Sequence, residues 1–222
     1  MNFWNDVFRE RGSLRADETF ISDPSSLLGF KKYDLETTRL LECLRENGLS
    51  PGDRVLVTVP RGVSLAAVCG TLLRGSMPGM TIAPVDVAAS LEKVQKILKP
   101  RALIGLATDP RFSQNSKTGG IPFQFAVDGT KSELRIVFEN EHGPRSPADL
   151  GWILQTSGST SQPKLVMISK ADLLARASGE VRDFEITSHD HILNFLSFSH
   201  DLGLNQLLVA LVSGARLGIQ NQ

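Results

Sequence analysis

Short apolar strands alternate with helix-length segments through the first half of the chain, and this alternation restricts the fold more than any other feature. Residues 54–59, Arg54-Val55-Leu56-Val57-Thr58-Val59, lie between the turn Ser50-Pro51-Gly52-Asp53 and Pro60 and read as a buried strand. A helix precedes it over 33–47, where Tyr33, Leu40, Leu41 and Leu44 recur at helical spacing and Gly48 closes the pattern. An apolar helix follows over 64–74 and a short strand over 79–83. Next comes a helix bearing Leu91, Val94, Ile97 and Leu98 that Ser90 can cap, then a strand over 102–106. Serial βαβ units of this kind call for a mostly parallel sheet flanked by helices, because parallel strands need a crossover about as long as a helix.

The flanking regions are read with the same signals. Residues 3–11 form a short helix with Phe3, Trp4, Val7 and Phe8 on one side. Residues 108–120 are a polar, glycine-bearing loop or frayed helix, 123–127 and 134–138 are strands, and 142–149, with two prolines, is a connector. Strands then follow over 152–155 and 165–168, a helix from a Ser169 cap to about 180, a strand over 191–195, an apolar helix over 202–212 and a strand over 216–220. The expectation is an α/β fold in two parts: an N-terminal lobe over 1–148, and from 149 the start of a second α/β lobe left incomplete at 222.

Charge narrows the partners. Lys plus Arg and Asp plus Glu number 24 each, so the net charge is zero, which argues against nucleic acid, whose binding is dominated by basic charge. The longest apolar run, around 65–73, is too short to span a bilayer, and the first residues lack the regions of a secretory signal. The expectation is a cytoplasmic chain with no membrane partner. Cys43 and Cys69 show no CxxC or Cys/His spacing and read as buried free thiols. His142, His189 and His191 lack ligand-like spacing, so no metal held by side chains alone is expected.

The chemistry concentrates in residues 156–164, Thr156-Ser157-Gly158-Ser159-Thr160-Ser161-Gln162-Pro163-Lys164. Hydroxyls crowd around one glycine, and a lysine follows between two strands. Backbone N–H groups in such a turn make a concave anion site, hydroxyls add donors and the lysine adds a point charge, which suits a phosphate chain. On composition alone, a solvated Ser/Thr-rich hairpin accounts for the segment equally well. It is not a Walker loop, because Pro163 rather than glycine precedes Lys164 and Leu165 rather than Ser or Thr follows it. Ser161-Gln162-Pro163-Lys164 matches the SxxK of serine acyl-transferases, and Lys117-Thr118-Gly119 supplies a KTG. That KTG lies upstream instead of downstream, no SDN is present, and a strand follows rather than a helix.

The run from Leu154 to Lys164 resembles the phosphate loop of the adenylate-forming superfamily: the acyl- and aryl-CoA synthetases, fatty acyl-AMP ligases, nonribosomal peptide adenylation domains and luciferases. Three further stretches are similar to that family, in the same order: Tyr33-Asp34-Leu35 through Leu49-Ser50-Pro51-Gly52-Asp53-Arg54-Val55; Leu72 to Asp86; and Asn194-Phe195-Leu196-Ser197-Phe198-Ser199-His200-Asp201-Leu202-Gly203-Leu204. Ser161 stands where the family usually has glycine, Leu165 where a glycine follows the lysine, and Ser199 where many members carry an aromatic residue.

The resemblance implies an acyl-CoA synthetase-like N-terminal domain that activates an acyl or aryl carboxylic acid with ATP and Mg²⁺, for transfer to CoA or a phosphopantetheinyl carrier protein. It implies that Thr156, Ser157, Ser159, Thr160 and Ser161 hold the β- and γ-phosphates, that Gly158 lets backbone approach, and that Lys164 neutralises phosphate charge. His200 is implied at the mouth of the acyl pocket, or as an ordinary histidine at a strand end. The family's adenine, ribose and α-phosphate contacts come from segments with no counterpart here. The chain is therefore expected to be part of a longer enzyme, inactive alone, exposing apolar surface that favours self-association or a complementary portion. The alternative is a naturally short, non-catalytic nucleotide- or partner-binding module of the same fold.

Overall fold

The computed structural model describes residues 15–82, 84–109, 120–126, 128–129, 133–139, 142–156 and 164–220, together with Trp4, Asp6, Val7, Glu10, Ser13 and Phe112. Most of the expected N-terminal helix and of the 108–120 loop, including the Lys117-Thr118-Gly119 triplet, lies outside these residues. The strands are β1 (Thr19–Asp23), β2 (Ser26–Gly29), β3 (Val55–Val57), β4 (Gly79–Thr81), β5 (Ala102–Leu106), β6 (Ile121–Gln124), β7 (Asp128–Gly129), β8 (Glu133–Phe138), β9 (Leu150–Thr156), β10 (Lys164–Ser169), β11 (His191–Asn194) and β12 (Arg216–Ile219). The helices are α1 (Phe30–Glu46), α2 (Val63–Gly75), α3 (Pro84–Leu98), α4 (Lys170–Asp183) and α5 (Asp201–Ser213).

Two sheets organise the molecule. One runs β10-β9-β4-β3-β5-β8-β6 and the other β11-β12-β1-β2-β7. The four central strands of the larger sheet, β9-β4-β3-β5, are parallel, as the βαβ pattern requires, while β10 on one side and β8 and β6 on the other add antiparallel edges. Val55, Leu56 and Val57 of β3 are fully buried, which is why this run is continuously apolar instead of alternating. In the smaller sheet β11, β12 and β1 are parallel, and β2 returns antiparallel to β1. Strands from either side of the 148/149 position share both sheets: β9 pairs with β4, and β12 pairs with β1.

One core links the sheets. Phe20, Tyr33, Leu40, Val57, Leu72, Trp152, Phe198 and Leu208 belong to a single buried apolar cluster. The α1 helix contributes through Phe30, Tyr33, Thr37, Leu40, Leu41 and Leu44, a stripe at spacings of three and four residues. Ser169 caps α4, its hydroxyl accepting from the Asp172 amide at 3.0 Å. Ser90, expected as a cap, lies inside α3, which begins at Pro84; proline suits the first helical position because that N–H has no intrahelical partner. Cys69 is buried and Cys43 only half-buried, and both are free. Burial raises both thiol pKa values, which keeps them protonated and unreactive.

Candidate functional site

The parallel strands of the larger sheet point their carboxyl ends at one edge, where open α/β sheets bind ligands. Thr156 is the last residue of β9 and Lys164 the first of β10, and they face each other across the antiparallel pair. Both are exposed, and the Thr156 hydroxyl lies 3.4 Å from the Lys164 carbonyl, a long hydrogen bond. The residues between them therefore connect two adjacent strand ends on the carboxyl edge. Ser157, Gly158, Ser159, Thr160 and Ser161 lie outside the described residues. Lys164 opens a strand rather than sitting on a helix, so the arrangement expected of an acyl-serine SxxK site is not what surrounds it.

His200 reaches the same edge by another route. It is the exposed N-cap residue of α5, with extended backbone at φ −106° and ψ 148° and no side-chain cap bond. Its amide donates to the Ser197 carbonyl at 3.1 Å, and its carbonyl accepts from Leu204 at 3.2 Å. Just ahead, the Ser197 and Ser199 hydroxyls lie 2.8 Å apart and the Ser199 amide donates to Ser197 Oγ at 3.2 Å. Ser199 thus closes a local turn. Phe198 is fully buried, and its carbonyl accepts from the Thr81 hydroxyl at 2.7 Å.

That bond fixes the juxtaposition. Thr81 ends β4, β4 neighbours β9, and Gly79 of β4 is opposite Trp152 of β9. The His200 segment is therefore anchored one strand over from the strand that delivers Thr156. Asp201, in the first turn of α5, pairs with Arg176 of α4, which raises the Arg176 pKa and places a carboxylate at a helix N-terminus, its favoured position. Gly203 packs against the segment so closely that a Cβ there would lie 2.1 Å from the Ser197 carbonyl oxygen. Asn194, fully buried at the end of β11, donates to the Gly203 carbonyl at 3.0 Å.

The carboxyl ends of the smaller sheet meet this edge as well. Asp23 ends β1; its Oδ1 accepts from the amides and hydroxyls of Ser25 and Ser26, and its Oδ2 accepts from the Val63 amide at the start of α2. Burial pushes the Asp23 pKa up, but the donors from Val63, Ser25 and Ser26 outweigh it and hold the carboxyl below its usual range. Arg61, in the loop after β3, donates to the carbonyls of Phe195 and Gln220. A cation and a glycine just past a buried strand, Arg61-Gly62, were the available signal.

His142, His189 and His191 are exposed. Among the described residues, no group of three or more His, Cys, Asp or Glu could hold a metal ion. No helix among them is long and apolar enough to cross a membrane. The Lys164 and Thr156 side chains are exposed together at the facing ends of β10 and β9.

Comparison with known proteins places these features in context. The family model described as AMP-binding enzyme matches residues 8–222. Novobiocin biosynthesis protein H of Streptomyces niveus is 27% identical over 96% of the chain, and tyrocidine synthase 1 of Brevibacillus parabrevis is 26% identical over 96%. The chain spans 36% and 19% of the lengths of these two curated relatives. Among solved structures, the fatty acyl-adenylate ligase from L. pneumophila, in complex with acyl adenylate and pyrophosphate, superposes with a TM-score of 0.78 at 22% identity. The match covers all of this chain and 40% of that one.

Proposed function

The chain belongs to the AMP-binding enzyme family, and from that premise we propose that it binds the phosphate and acyl ends of an ATP-dependent carboxylic-acid activation. The reading is an acid–thiol ligase of the AMP-forming kind. The acid's carboxylate oxygen attacks the α-phosphorus of ATP, the bond to the bridging oxygen breaks and pyrophosphate leaves. A thiol of CoA or of a phosphopantetheinyl carrier protein then displaces AMP. The observation that carries this reading is the shared carboxyl edge, where the Thr156–Lys164 hairpin mouth and the His200 segment hang from adjacent strands.

In this reading Thr156, Ser157, Ser159, Thr160 and Ser161 donate to the β- and γ-phosphates. Gly158 admits the phosphate to the backbone, and Lys164 offsets charge as it collects on the departing pyrophosphate. Mg²⁺ accompanies the phosphates and supplies charge neutralisation. His200 stands at the entrance for the acyl or aryl group. A solved structure of similar fold carries acyl adenylate and pyrophosphate together, which supports a pyrophosphate end and an acyl end.

Adenine, ribose and α-phosphate contacts are proposed to come from a further portion of the polypeptide or a complementary subunit, since the relatives are much longer. Leu193 and Phe195 on and after β11, and Leu202 in α5, are each more than half exposed, and offer that portion an apolar surface. Without it, these residues would drive self-association. Isothermal titration with magnesium pyrophosphate tests the phosphate site in the 222-residue chain. The expected result is weak binding that Lys164→Ala reduces about tenfold, the usual weight of a charge-assisted contact. Equal binding by both proteins would remove Lys164 from the site.

A further inference from the structure

Arg61 donates to backbone far away in sequence, beside the segment that carries His200. Its Nη1 donates to the Phe195 carbonyl and its Nη2 to the Gln220 carbonyl, 134 and 159 positions away in sequence. Phe195 directly follows β11 and Gln220 directly follows β12, and these strands are parallel neighbours. Beyond the ladder, strand-end carbonyls have lost their sheet partners and need a donor. A guanidinium presents several donors in a fixed plane and can serve two such carbonyls at once, whereas an ammonium is a single point.

The loop that carries Arg61 is itself pinned. Asp23, at the end of β1, accepts from the Val63 amide at 2.9 Å. Gly62 has φ +156°, and a Cβ there would lie 2.8 Å from Asp23 Oδ2, so glycine is what lets the carboxylate cross. One short loop from the larger sheet thereby ties down the carboxyl ends of all three parallel strands of the smaller sheet.

We infer that Arg61 is a positioning residue for His200. The segment between β11 and α5 is irregular, and two carbonyls fix its path: Phe195, held by Arg61, and Phe198, held by Thr81. The stretch from the second anchor to His200 is two residues long, so the first anchor sets the direction in which the segment leaves the sheet. Arg61 touches no reacting atom in this account. It acts through where the imidazole stands relative to the hairpin mouth. The functional half of the inference rests on the reading of His200 at the acyl entrance.

The test has two arms. Backbone hydrogen exchange on the 222-residue chain compares wild type, Arg61→Met and Arg61→Lys. The amides of Ser199, His200, Leu204 and Gln220 are hydrogen-bonded around this segment, whereas Thr58 and Ile82 bond within the larger sheet. Arg61→Met should speed exchange at the first group by about tenfold or more, the weight of a lost charge-assisted bond, and leave the second group unchanged. Arg61→Lys should fall between. Uniform acceleration, or none, overturns the positioning role.

The second arm measures acid-dependent thioester formation in the complemented enzyme for Arg61→Met, His200→Ala and the double variant. Arg61→Met should lower kcat/KM for the acid by roughly ten- to a hundredfold, as a misplacement near 1 Å does, with KM for ATP unchanged. In the His200→Ala background it should add less than about twofold, because coupled sites are not additive. Equal factors in both backgrounds would make Arg61 a structural strap only. Absence of thioester formation by the wild type sinks the functional reading of His200 and with it this half of the inference, while the hydrogen-exchange arm still decides whether Arg61 holds the segment.

Discussion

Replacing Gly203 with alanine separates local helix preference from tertiary fit. Alanine is favoured over glycine in a helix by about 0.8–1 kcal/mol, so propensity alone forecasts a more stable protein. The structure forecasts the opposite. A Cβ at position 203 would lie 2.1 Å from the Ser197 carbonyl oxygen, 2.6 Å from its carbon and 3.0 Å from the Leu196 oxygen. A carbon rarely comes closer than about 3.3 Å to a carbonyl oxygen, so backbone must yield by roughly 1.2 Å. Overpacking of this kind costs about 1–3 kcal/mol. Because Asn194 donates to the Gly203 carbonyl, a displaced helix start also weakens a buried hydrogen bond worth about 1 kcal/mol. The clash outweighs the propensity gain, leaving a net loss of about 1–3 kcal/mol. At 2–4 °C per kcal/mol for a chain of this size, Tm should fall by roughly 2–12 °C. Differential scanning calorimetry reads this directly. A rise of a few degrees would refute the argument, because it would mean that the close approach of α5 to Ser197 is absent in solution.

Three further outcomes follow from the same geometry. Ser169→Ala removes the α4 cap and should cost about 1 kcal/mol, read as a 2–4 °C fall in Tm; no change would mean the cap bond to Asp172 contributes nothing. Asp23→Asn should destabilise at neutral pH, and the gap should close in acid. The folded pKa of Asp23 is depressed, so its contribution is complete above the unfolded value of about 3.9 and is lost as pH falls through the folded value. Urea titrations at pH 7 and pH 3 check this: the gap should be smaller at pH 3, and a gap of equal size at both contradicts it. His200→Ala, in the complemented enzyme, should alter acyl preference or thioester formation more than pyrophosphate exchange; a lowered Tm with an unchanged ratio of the half-reactions would mark a structural histidine.

The βαβ core was legible because its signals are local. Val55-Leu56-Val57 is a continuous apolar run on a strand buried on both faces, and α1 shows its stripe within a few turns. The α3 helix starts at Pro84 and not after Ser90: serine has the chemistry of a cap, whereas Pro84 directly follows the strand expected over 79–83. The β1–β2 hairpin went unread. Its strands are short, the register shifts between Thr19 and Ile21, and the parallel partner of β1 is β12, almost 200 residues away. The same long pairings carry β9 and β12 into sheets begun by the first half of the chain, which no window of sequence displays.

Thr156 and Lys164 could be named from residue type and order and His200 from the family resemblance, but their approach to one edge depends on which strands neighbour each other. Arg61 was invisible for a more specific reason. Its acceptors are backbone carbonyls of Phe195 and Gln220, and a backbone carbonyl leaves no mark on side-chain composition.

The central claim is that these 222 residues hold the pyrophosphate and acyl ends of an adenylation site that another portion completes. ATP–pyrophosphate exchange, run with a panel of fatty and aromatic acids, tests it most directly. The chain is assayed alone and then with a complementary C-terminal region, in cis or as a separate polypeptide. Losing one charge-stabilising donor typically costs on the order of a hundredfold in rate, so the chain alone should stay near background. Addition of the complement should give exchange that requires an acid and Mg²⁺ and that Lys164→Ala lowers on the order of a hundredfold. Robust acid-dependent exchange by the 222-residue chain alone would contradict the account.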